Sequence, residues 1–142
     1  MRLIVLLLLA VLAGTAGGCG VSDGDAGGSL PACAEADDPV DAPEGLPPEL
    51  PLPPGLVLTD AQSPAEGDFN LRGVVAGELQ ETADFFRERL AENGFELGEG
   101  DAEEHEQEAE FEGHGYEGEW RVVKNPDPDC GVVAVFVRLI GE

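Results

Sequence analysis

The stretch HEQEAEFEGHG (residues 105–115) places Glu at 106, 108, 110 and 112 and a histidine near each end. Its residue types are good helix formers. A helix, however, would stack Glu104 on Glu108, Glu106 on Glu110 and Glu108 on Glu112. Each like-charge pair costs about 0.2–0.5 kcal/mol, and no Lys or Arg lies nearby to relieve them. Ala109 and Phe111 also stand two apart, which is the period of a strand. The strand is the favoured reading. Ala109 and Phe111 then face a core, the four glutamates face water, and His105 takes the core side. Successive carboxylates lie about 6.6 Å apart along such a strand. Their repulsion in water is roughly 0.6 kcal/mol per pair, so the row needs no ion to exist.

The same parity extends to the neighbouring segments. Phe69, Leu71 and Val75 point inward and leave Arg72 outward. Tyr116, Trp120 and Val122 point inward and leave Glu117, Glu119 and Arg121 outward. Val133, Val135, Val137 and Leu139 point inward and leave Arg138 outward. Three of the six arginines thus share the face of the glutamates, where opposite-charge pairs contribute about 0.2–1 kcal/mol each.

Upstream, Leu79, Ala83, Phe86 and Leu90 form one stripe of an amphipathic helix over residues 78–92. Asn93-Gly94 ends it, with Gly94 suited to the left-handed position and Phe95 placed to touch Leu90. Strands are expected at 56–59, 69–76, 95–99, 106–112, 116–124 and 132–140. Turns fall at Gly113-His114-Gly115 and between Asn125 and Asp129. The predicted fold is α+β and two-layer: one amphipathic helix packed on a mainly antiparallel sheet, in the order β-β-α-β-β-β-β.

The 142 residues suffice for one domain and a targeting segment. Thirty acidic against seven basic residues give a formal charge of −23. Nucleic acid is therefore not an expected partner, and direct docking on anionic lipid is disfavoured. Arg2 followed by ten apolar residues, Leu3 to Leu12, reads as an export signal. It is shorter than the roughly 20 residues of a membrane-spanning helix. Eight of the eleven prolines lie between Pro31 and Pro54, so residues 19–54 read as a tether and 55–142 as the domain.

Ala16-Gly17-Gly18-Cys19 resembles the lipobox of bacterial lipoproteins, in which small residues precede an acylated cysteine; Ala16 stands where Leu is usual. The resemblance implies removal of residues 1–18, lipidation of Cys19 and a membrane partner through that anchor on the extracytoplasmic face. It leaves Cys33 and Cys130 to pair in an oxidising compartment, which would close a loop worth roughly 4 kcal/mol in chain entropy. The domain also resembles the C-terminal domains of many small bacterial lipoproteins of unknown function, with Pro53-Pro54-Gly55 before the first strand, Phe85-Phe86 in the helix and Gly94-Phe95 after it. That resemblance implies a fold and a location, and no catalytic residues.

No serine or cysteine has an evident base, and no Gly-rich phosphate loop opens a helix. Neither catalysis nor a cofactor is expected. A metal on Glu106, Glu108, Glu110 and Glu112 is the weaker alternative, because carboxylates along one strand point in parallel whereas calcium needs six to eight oxygens converging on it. The last strand raises a different question. Val132, Ala134 and Phe136 point outward, so it is apolar on both sides, a pattern typical of covered strands. A bond between Cys33 and Cys130 would bring Leu46, Leu50 and Leu52 of the tether within reach as a cover; the other reading is a protein partner or a homodimer. The functional expectation is a non-catalytic binding or protein-interaction domain, with a divalent-cation or salt-responsive acidic domain as the alternative.

Overall fold

The computed structural model describes residues 30–34 and 38–142. The export signal, the lipobox and Cys19 lie outside the described residues. Strands β1 (Val57–Gln62) and β2 (Phe69–Ala76) precede helix α1 (Leu79–Glu92). Strands β3 (Glu96–Ala102), β4 (Glu106–Gly113), β5 (Tyr116–Lys124) and β6 (Val132–Gly141) follow it. The six strands form one antiparallel sheet in the order β1-β2-β6-β5-β4-β3. One helix packed on an antiparallel sheet is the α+β fold that the residue pattern predicts.

Residues 101–112 are extended over most of their length, and the alternation in β4 is as expected. Gln107, Ala109 and Phe111 are buried, while Glu110 and Glu112 are exposed. Across β4 and β5 the two-residue turn is His114-Gly115, with φ of 56° and 79°. Two positive φ values match the right-handed twist of a hairpin. Tyr116 therefore pairs with Gly113, and Glu108 with Arg121.

Helix α1 carries the chain from β2 across the sheet to the far edge, touching β3, β4 and β5 on the way. Its buried residues include Leu79, Ala83, Phe86 and Leu90, the predicted stripe. The ending is also as predicted. Gly94 has φ 88°, its N–H donates to Ala91 O, and the Phe95 N–H donates to Leu90 O at 3.0 Å. This satisfies carbonyls that a helix end leaves free.

Phe86 and Trp120 lie at the centre of the core, both essentially without exposure. Gly118 makes room beside them. A Cβ there would lie 2.3 Å from Phe111 Cζ, so the Phe111 ring occupies the space that any side chain at 118 would need.

Two expectations are corrected. Leu50 is buried within the main core cluster, and Leu46, Leu52 and Leu56 pack against it. Leu56 lies over Gly73, whose Cβ would meet its Cδ1 at 2.9 Å. The tether leucines thus add to the core rather than cover the opposite face of β6. The Asn93 side chain, just past α1, fixes this arrangement by donating to Glu49 O at 2.7 Å. His105 is not turned to the core. It precedes β4, and its side chain is 74% exposed, because the strand parity does not hold one residue outside the strand. The boundaries of β1 and β3 also move. Both strands carry a register shift, and β3 runs on to Ala102.

Candidate functional site

The outer face of the sheet is built by residues of one parity. The β2–β6–β5 register aligns Val74 with Ala134 and Val123, and Arg72 with Phe136 and Arg121. Phe136 is half-buried on a central strand. The Arg121 guanidinium carbon lies 4.6 Å from its ring centroid and that of Arg72 lies 5.4 Å away. Both distances are within cation–π range, so one ring holds two guanidiniums. Of the predicted interaction residues, Ala134 and Phe136 are half-buried and Val132 is buried. The register supplies Val74 and Val123, whose parity with Arg72 and Arg121 was readable in the sequence. The Arg–Phe–Arg stack was not, because it depends on the strand order.

The glutamate row occupies the acidic half of this face. Glu106 meets Arg121 at 4.0 Å. Farther along, Glu110 lies opposite Glu119, and Glu112 opposite both Glu117 and Glu96. Like charges directly opposite destabilise a sheet. No group of three or more His, Cys, Asp or Glu side chains suited to hold a metal occurs among the described residues. Glu106, Glu108, Glu110 and Glu112 are spread along one strand rather than gathered about a point.

At the foot of β6, Cys33 and Cys130 form a disulfide pair with Cα atoms 5.7 Å apart, inside the usual range. Cys130 ends a short 3-10 helix, Pro128–Cys130, whose N-cap Asp127 accepts from Asp129 N. The bridge links the tether to the rim of a groove on the outer face that Phe136 and Cys33 both line.

Two other polar side chains have structural partners. Gln107, buried opposite Val122, accepts from Arg87 Nη2 and donates to Gln80, both at 2.9 Å. His114 bonds Asn93 O at 2.8 Å through Nε2 and packs on Phe95. Sequence reasoning missed the Gln107 link, since a glutamine among glutamates gives no sign of burial beyond its parity. No described helix is long and apolar enough to cross a membrane.

No protein-family model matches this chain, and no curated protein or solved structure gives a match either.

Proposed function

We propose that this chain is an exported domain, anchored to a membrane through a lipid on Cys19, which acts without catalysis by binding a partner on the outer face of its sheet. The lipobox-like Ala16-Gly17-Gly18-Cys19 and the export signal support the location. The disulfide pair supports an oxidising compartment. The two-layer arrangement belongs to this reading: helix and tether leucines cover one face and leave the other for a partner.

The observation that carries the binding role is Phe136. A half-buried aromatic flanked by two arginines on a central strand has the composition of an interface hot spot. The Phe136→Asp variant should fold and should lose any partner that copurifies with the native chain. Retention of the same partner by that variant counts against the proposal.

The opposed carboxylates Glu110–Glu119 and Glu112–Glu117 favour a second reading, a domain that responds to divalent cations or salt. Calorimetry with calcium and with zinc decides it, and absence of heat at millimolar ion ends it.

A further inference from the structure

The cations of this acidic chain are unevenly placed. Arg87 and Arg89, on α1, pair with Asp84 and Glu92. Arg121 reaches Glu106 only at 4.0 Å. Among the described residues, Arg72, Arg138 and Lys124 have no carboxylate within ion-pairing distance. Arg72, Arg121 and Arg138 lie on the outer sheet face, and Lys124 lies at the end of β5 beside it. The register sets Asp60 opposite Arg72 and Glu119 opposite Arg138, but neither carboxylate closes to ion-pairing distance, which leaves these guanidinium donors open to an anion.

The surroundings of Arg72 and Arg121 narrow the choice. With Lys124 they border a groove of about 590 Å³ whose apolar lining is Val74, Val123, Ala134 and Phe136. Stacking on Phe136 restrains both guanidiniums, and their forked donors suit a planar oxyanion. One pleat repeat along the strands, roughly 6.6 Å away, the row Val74–Ala134–Val123 offers only hydrocarbon. A cationic row beside an apolar row is the complement of a head and a tail. Glu106 and Asp127 line the same groove and offset two of the three positive charges of Arg72, Arg121 and Lys124, so a single negative charge is tolerated better than the nearly two charges of a phosphate monoester. A second copy is a poor occupant, because each copy carries a charge of −23 and two such chains repel each other far more than either repels one carboxylate.

We infer that this groove binds a monoanionic amphiphile, a carboxylate on a hydrocarbon chain, with the head at Arg72 and Arg121 and the chain over Val74, Ala134 and Val123. This inference rests on the outer face being the docking surface.

Calorimetric titration of the intact, disulfide-bonded chain with decanoate in detergent-free buffer tests it. The expected result is saturable binding in the submillimolar range, weakened at least tenfold in the Arg72→Ala/Arg121→Ala double variant and substantially retained when both are replaced by Lys. Acetate, which lacks the tail, should give no saturable heat, and decyltrimethylammonium, whose cationic head is drawn to the carboxylates of a chain of charge −23, should give heat that the alanine double variant leaves unchanged. The inference is overturned if acetate binds as tightly as decanoate, if the alanine double variant binds decanoate unchanged, or if the folded native chain shows no decanoate binding. Displacement of decanoate by poly-L-glutamate with higher affinity would also overturn it, in favour of an acidic polypeptide. A negative titration alongside loss of a copurifying partner in Phe136→Asp would remove the ligand class and leave the docking face standing.

Discussion

The Phe86 ring lies flat against the Trp120 indole, with centroids 5.3 Å apart and 7° between the planes. The contact joins the middle of α1 to the middle of the sheet, and Arg87 adds a guanidinium 5.2 Å from the indole centroid. Trp120 Nε1 is buried without a hydrogen-bond partner, so the indole is held by packing and the Arg87 contact rather than by a hydrogen bond.

Truncating either ring should therefore cost about as much as any core substitution in this domain. Phe86→Ala is expected to lower stability by about 3–5 kcal/mol. Trp120→Phe should cost distinctly less than Trp120→Ala, because both remove the unsatisfied donor but Phe keeps a ring against Phe86 and leaves the smaller cavity. Urea denaturation of the three variants checks the order.

The tether leucines give a sharper test. Leu50 is 6% exposed within the core, so Leu50→Ala should destabilise by about 2–5 kcal/mol. A leucine in a free tether would cost nothing measurable. Thermal unfolding of the variant distinguishes the two.

Removing the bridge between Cys33 and Cys130 as a double serine variant should cost about 2–5 kcal/mol. Far-UV dichroism at room temperature should remain native, because the sheet registers do not depend on the bond. Denaturant titration measures the loss.

Glu112 faces Glu96 on one side and Glu117 on the other. Glu112→Lys converts two repulsions into two attractions, each worth about 0.2–1 kcal/mol. The variant should be more stable than the native chain at low ionic strength. The gain should shrink in molar salt, where the screening length falls to about 3 Å.

Much of this fold is legible in the sequence, for identifiable reasons. The spacing Leu79, Ala83, Phe86, Leu90 and the Asn93-Gly94 ending define α1, because helix period and cap chemistry are local. The alternation Ala109, Phe111 against Glu108, Glu110 and Glu112 defines β4, since like-charge stacking rules against a helix. β3 is less legible, because its seven residues are all exposed and offer no alternation. Leu46, Leu50 and Leu52 show no period either, so nothing local says which face they cover. Of the candidate site, Phe136 and the outward arginines follow from parity. Their stacking requires β6 to lie between β2 and β5, and strand order is a long-range property.

The most direct test of the docking face is maleimide labelling at position 134, which lies on the same face and leaves Phe136 in place. An Ala134→Cys variant should react quickly in the purified chain and slowly in intact membranes, where the partner covers it. A Glu88→Cys control on the exposed side of α1 should react alike in both settings. Equal labelling of position 134 in the two settings would contradict the proposal.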